Sequence, residues 1–140
     1  MKKVVAIVAA LLLLATSPGA IASASGKVVI SIDELREMFA DMRTKASFKK
    51  WNVDGPLLWG YFFTDKDKQK LSRIAAYLKD RGYNFVSVLP ADDQGTFFLH
   101  VEKIEHHTPG SLNHRNREFY ELADQFQLES YDGMDVGPAK

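Results

Sequence analysis

Cysteine is absent from all 140 residues of the sequence. This absence excludes a thiol nucleophile, a thiolate metal site and any disulfide, so an ordinary hydrophobic core must hold the domain together. A Gly-x-Ser-x-Gly nucleophile turn and a glycine-rich phosphate-binding loop are also missing. We therefore predict no catalytic residue, and we expect neither an enzyme nor a cofactor.

An excess of basic charge is missing as well, because 18 Lys and Arg residues balance 18 Asp and Glu residues. Nucleic-acid-binding domains usually carry a basic surface that neutralises phosphates. The charge balance therefore argues against nucleic acid as a direct partner. One alternative of this kind stays open, in which an open sheet face stacks bases on Trp59, Tyr61, Phe63, Phe98 and His100.

The first 24 residues have the pattern of a secretory signal peptide. Lys2 and Lys3 precede an apolar run over residues 4–15, and Ala22-Ser23-Ala24 is a small-x-small cleavage site. The run is shorter than the roughly 20 residues that a membrane-spanning helix needs, although an uncleaved anchor is the alternative. We predict cleavage after Ala24 and a periplasmic location, with no membrane attachment afterwards. The remaining chain is long enough for one small domain, and it has 16 basic and 18 acidic residues.

Residues 25–56 are predicted to form an N-terminal helix and a connector. Ser31 and Glu34 have the spacing of a capping box. Apolar residues then recur at helical spacing, which predicts a helix from Ile32 to Lys45. Asp54-Gly55-Pro56 is a turn signal at the end of the polar connector.

An aromatic stretch, Leu57 to Asp65, predicts the central strand of the remaining domain, residues 57–138. Alternation places Leu58, Gly60 and Phe62 on one face and Trp59, Tyr61 and Phe63 on the other. Further elements follow in the order helix, strand, strand, helix, strand. The second helix is expected to be capped by Thr64 and Asp67 and to end at Gly82, and the strands to cover residues 83–89, 96–105 and 128–137. Ser111 is the expected cap of the third helix.

This order predicts an α+β, ferredoxin-like βαββαβ sandwich. Its antiparallel four-stranded sheet carries two helices on one face, and the N-terminal helix is an addition. Phe119, Leu122 and Phe126 of the third helix are expected to pack on the sheet with Leu71, Ile74 and Leu78 of the second.

Histidines and carboxylates provide the remaining candidates for chemistry. His100, Glu102 and His106 share a strand face by parity, with His107 and His114 nearby, but their spacing matches no zinc signature, so no metal site is predicted. Glu102 and Glu105 fall on opposite faces and cannot form a paired acid and base from one strand. Asp132-Gly133 is interpreted first as a turn and second as a partner contact.

Four segments resemble the RraB family, the regulators of ribonuclease E activity: LWGYFFTD, FFLHVEKIEHH, RNREFYELAD and SYDGMDVGP. The similarity extends from Ser31 to Pro138. It implies a small ferredoxin-like domain without catalytic residues that regulates ribonuclease E by binding to it. The regulators of this family act in the cytoplasm, whereas this chain begins with a signal peptide pattern.

We therefore expect a non-catalytic binding protein whose partner is another protein, ribonuclease E by resemblance. The alternative is an exported immunity or inhibitor protein that acts against a secreted toxin. The predicted contact surface combines aromatic and acidic side chains, namely Trp59, Tyr61, Phe98, Tyr131, Asp132 and Asp135.

Overall fold

The computed structural model describes residues 21–22 and 28–139. The predicted signal peptide therefore lies outside the described residues except for Ile21 and Ala22. These two form β1 (Ile21–Ala22), which pairs antiparallel with β2 (Val28–Val29).

Three helices and four longer strands make up the domain. The helices are α1 (Ile32–Thr44), α2 (Lys68–Lys79) and α3 (Pro109–Gln125), and a 3₁₀ turn covers Ala46–Phe48. The strands are β3 (Leu57–Asp65), β4 (Asn84–Pro90), β5 (Phe97–Glu105) and β6 (Ser130–Pro138). Among the helices that the structure describes, none has the length and apolarity to span a bilayer.

The four strands form one antiparallel sheet in the order β4-β5-β3-β6. This is the strand order of the ferredoxin-like βαββαβ arrangement, so the predicted α+β fold is confirmed. β3 is central and pairs with β5 on one side and β6 on the other. α1 is the predicted addition before this unit.

The helix ends follow the capping signals with two corrections. Ser31 caps α1 by accepting the Glu34 N–H at 3.1 Å, as predicted. Asp67 alone caps α2, because Thr64 is still inside β3. Thr108 caps α3, while the expected cap, Ser111, is the reciprocal partner in the capping box. Pro109 explains this earlier start, since proline fits the first helical turn, where no N–H donor is needed.

The hydrophobic core lies between the sheet and the helices. Leu57, Trp59, Tyr61 and Phe63 of β3 all point into it and are fully buried. Phe39 of α1 stacks on Trp59 with ring centroids 6.0 Å apart, so α1 covers the same side of the sheet as the other helices.

The predicted packing of α3 against α2 is confirmed apart from one residue. Phe119 and Leu122 are buried, as are Leu71, Ile74 and Leu78 of α2. Phe126 is only half-buried, because it follows the last residue of α3 and contacts the ring of Tyr77 near the surface. It still packs against the edge of the core, but it is less buried than predicted.

The Asp132-Gly133 pair lies within β6 and does not form the predicted turn. Phe62 pairs with Gly133 and Phe63 with Tyr131, which leaves Asp132 as an extra residue in a β-bulge. Gly133 has φ +105°, a conformation that glycine adopts without strain. A bulge thus uses the same residue types that a turn would use.

Candidate functional site

One face of the sheet is opposite the three helices, and we call it the open face. Asp132 reaches this face through the bulge. The strand register places fifteen further residues of β3 to β6 in its rows: Leu58, Gly60, Phe62, Thr64, Asn84, Ser87, Leu89, Phe98, His100, Glu102, Ile104, Ser130, Gly133, Asp135 and Gly137. No helix in the described part of the chain packs on this face.

The middle of the open face is aromatic. His100 stacks on Phe62 with ring centroids 4.4 Å apart and an interplanar angle of 22°, and Phe98 lies 5.9 Å from Phe62. Leu89 and Ile104, in the outer rows of the same face, are 50% and 53% exposed. Exposed apolar groups arranged in this way are typical of protein contact surfaces.

Two polar side chains converge above Gly60 in the central strand. A Cβ atom at this position would lie 2.3 Å from Oδ1 of Asp135 and 2.6 Å from Nε2 of His100. Both distances are far below a van der Waals contact, so only glycine leaves room for the two side chains as they stand. The single glycine in the aromatic run therefore brings a carboxylate from β6 and an imidazole from β5 over β3.

A second polar group surrounds the bulge in β6. The Thr64 and Ser130 hydroxyl oxygens are 2.5 Å apart, and the Ser130 hydroxyl donates to Oδ1 of Asp132 at 2.5 Å. Burial raises the pKa of the Asp132 carboxyl, and the hydrogen bonds from Ser130 and Thr64 oppose this rise. The hydroxyl groups thus hold the Asp132 carboxylate in place beside the aromatic patch.

The structure places three of the six predicted contact residues on the open face: Phe98, Asp132 and Asp135. The exposure expected for the other three was wrong, because Trp59, Tyr61 and Tyr131 are 1%, 0% and 4% exposed. Trp59 and Tyr61 lie under α1 and α3, and the Tyr131 hydroxyl donates to Oδ1 of buried Asn116 at 2.6 Å. These three residues stabilise the core.

Base stacking would require five aromatic side chains on one face of the sheet, and the strand register does not bring them together. Trp59, Tyr61 and Phe63 lie on the helix side, while Phe98 and His100 lie on the open face. The five aromatic side chains therefore do not form one face.

The histidines are likewise separated by the fold. His100 lies on the open face, His107 is buried, and His106 and His114 are exposed beyond the end of β5. In the described part of the chain, no group of three or more histidine, cysteine or acidic side chains could hold a metal ion.

A buried polar network on the helix side had no signal in the sequence. The Tyr61 hydroxyl donates to Oε2 of Glu105 at 2.7 Å and lies 3.1 Å from Nε2 of His107. Arg115 donates to Oε1 of Glu105 at 2.5 Å, and Nδ1 of His107 is 2.9 Å from the Ser111 hydroxyl. The network joins β3 to β5 and α3, and Tyr61 precedes Glu105 by 44 residues, so local spacing could not reveal it.

A cleft of about 410 Å³ lies between α2 and α3. Arg81, Lys103 and Arg115 line it, but each already has a partner within the domain. Arg81 donates to the Tyr77 carbonyl, Lys103 donates to the Arg81 carbonyl, and Arg115 binds Glu105. These three cationic side chains therefore stabilise the end of α2 and the start of α3.

The fold and the site define a small ferredoxin-like α+β domain whose open sheet face is partly apolar. The chain matches the family described as "Regulator of ribonuclease activity B" over residues 32–136. It is therefore a member of the RraB family, and the resemblance seen in the sequence is confirmed. No curated protein matches the chain.

Proposed function

We propose that this protein is a non-catalytic regulator that binds a protein partner through the open face of its sheet. The observation that carries the proposal is an exposed apolar surface that lies beside carboxylates held in position by neighbouring side chains. Leu89 and Ile104 are half-exposed, Phe62 and Phe98 lie between them, and Asp132 and Asp135 border the patch. A core of aromatic contacts with a polar rim is the usual composition of a protein interface.

Membership of the RraB family supports a ribonuclease as the regulated enzyme. By this family relationship, the partner is an enzyme of the ribonuclease E type, and the protein inhibits it by contact. A regulator of this kind needs no proton-transferring residue at its surface. Loss of binding and loss of regulation should therefore occur together in every open-face variant.

The sequence pattern of residues 1–24 supports export to the periplasm. N-terminal sequencing of periplasmic protein should give Ser25 as the first residue, and intact Met1 on membrane-bound protein would contradict this. An exported pool favours the second candidate function, inhibition of a secreted toxin through the same open face. Pull-downs with tagged protein from envelope and cytosolic fractions would distinguish the two partners.

Alanine substitution at Phe98 tests the binding surface directly. Phe98→Ala should weaken partner binding roughly thirtyfold, because truncating an aromatic anchor typically costs about 2 kcal/mol. Phe85→Ala is the matched control: Phe85 is 54% exposed, but its strand position pairs with Val101 of the helix side. Titration calorimetry with the captured partner measures both affinities, and circular dichroism checks the fold. Equal affinities for the two variants would rule out the open face.

A further inference from the structure

The open face receives three carboxylates but no lysine or arginine from strands β3 to β6, so the two signs of charge are separated there. The other strand carboxylates, Asp65 and Glu105, lie on the helix side and pair with Lys70 and Arg115. The only lysine or arginine in strands β3 to β6 is Lys103, and it faces the helices. Its Nζ donates to the Arg81 carbonyl at 3.2 Å and lies 4.7 Å from the Tyr83 ring centroid. Three carboxylates, those of Glu102, Asp132 and Asp135, lie on the open face. The balanced charge of the whole chain conceals this separation.

Carboxylates and apolar groups form adjacent rows across the open face. Glu102 and Asp135 both pair with Gly60, so they flank the central strand in one row. Phe62 lies two residues along β3, in the next row on the same face. Alternate residues of a strand are roughly 7 Å apart. A binding segment would therefore meet negative charge and an aromatic surface within one or two residues.

From these rows we infer that the partner segment is cationic and carries an aromatic or large apolar side chain next to its basic residues. This inference rests on the proposed function and specifies the chemistry of the partner. Arginine fits the site best, because its guanidinium can pair with a carboxylate while its planar face and stem lie on an aromatic ring. Acidic segments and nucleic-acid phosphates would be repelled by Glu102 and Asp135.

Two synthetic peptides test the inference without knowledge of the natural partner. One is a short peptide in which arginine and phenylalanine alternate, and the other has glutamate in place of every arginine. Fluorescence anisotropy should detect binding of the arginine peptide, with affinity that falls as salt is raised. The glutamate peptide should not bind. Equal binding of both peptides would overturn the inference.

Variants of the carboxylates test whether the arginine peptide binds at the open face. Glu102→Gln and Asp135→Asn should each weaken binding of the arginine peptide roughly fivefold, the loss expected for one surface ion pair. Glu37→Gln, which neutralises an exposed carboxylate on α1, is the matched control and should bind like the original protein. Thermal midpoints of all three variants show whether the fold is intact. If the control weakens binding as much as the open-face variants, the inference is wrong.

The natural partner distinguishes failure of this inference from failure of the proposed function. If Phe98→Ala weakens partner binding while the two carboxylate variants do not, the open face binds the partner but not through its charge. If none of the three variants has an effect, both proposals fail. If all three weaken binding, both are supported.

Discussion

The Tyr61 hydroxyl donates a 2.7 Å hydrogen bond to Oε2 of Glu105, which connects the central strand to the end of its neighbour. Burial raises the pKa of the Tyr61 phenol, so the hydroxyl keeps its proton and remains a donor. Burial alone would also raise the pKa of Glu105, but the hydrogen bonds from His107 and Tyr61, with the charge of Arg115, lower it to about 2. Glu105 is thus a charged group inside the domain, and its hydrogen-bond donors stabilise the charged form.

Glu105→Gln should lower the free energy of unfolding by about 3 kcal/mol at pH 7, because it removes the negative charge and leaves Arg115 without its partly buried partner. Glu118→Gln is the control. Glu118 also pairs with Arg115, but its side chain is 48% exposed, so its loss should cost less than about 1 kcal/mol. Urea denaturation of both variants measures the difference. Equal losses would mean that burial of the Glu105 pair contributes nothing.

Acid should remove the contribution of Glu105 to the free energy of unfolding. Its pKa in the folded protein is about 2, below the ordinary value of 4.5, so its stabilisation is present above pH 4.5 and is lost as pH falls towards 2. The difference in unfolding free energy between the original protein and Glu105→Gln should therefore shrink by about 3 kcal/mol across this interval. Denaturation curves at several pH values test this, and a constant difference would contradict it.

Phe119→Ala should destabilise the domain by about 3–5 kcal/mol, because Phe119 contacts Tyr61, Phe63, Tyr83 and Tyr131 in the core. Phe126→Ala should cost clearly less, since Phe126 is half-buried and contacts the ring of Tyr77. Arg117→Ala, on the exposed side of α3, is the surface control. Thermal denaturation should rank the three variants in this order, and a greater effect at Phe126 would contradict the packing of α3.

Gly133→Ala should cost about 1–3 kcal/mol, because φ is +105° and a side chain at this angle is strained. The added Cβ would also lie 3.3 Å from Cδ1 of Ile30. Gly110→Ala is the matched control in the first turn of α3, where the nearest atom would be 3.8 Å away and alanine favours the helix. The control should be neutral or slightly stabilising, and a similar loss at both positions would argue against strain at Gly133.

Much of the fold could be predicted because local signals agreed with one another. Alternation assigned Trp59 and Phe62 to opposite faces of β3 correctly, and the order of elements limited the topology. Alternation within a strand does not say which of its faces matches which face of the next strand. Only the register between β3 and β5 shows that Phe98 shares a face with Phe62 and not with Trp59.

The buried polar residues on the helix side were harder to predict for a different reason. Glu105 and Arg115 each look like ordinary surface charges in the sequence, since such side chains are usually exposed. Their burial depends on a contact between β5 and α3 that no local pattern encodes. In the same way, the sequence predicts Tyr131 at the contact surface, but α3 supplies Asn116 as a partner for its hydroxyl inside the core.

The position of β3 in the sheet sets the order in which the sheet can be assembled during synthesis. β3 is central but precedes both of its neighbours in the chain, and β6 is the last of the four strands. A growing chain therefore holds the aromatic segment Leu57–Asp65 without both partners until Pro138 has been made. The domain should consequently fold after translation of β6 and not progressively.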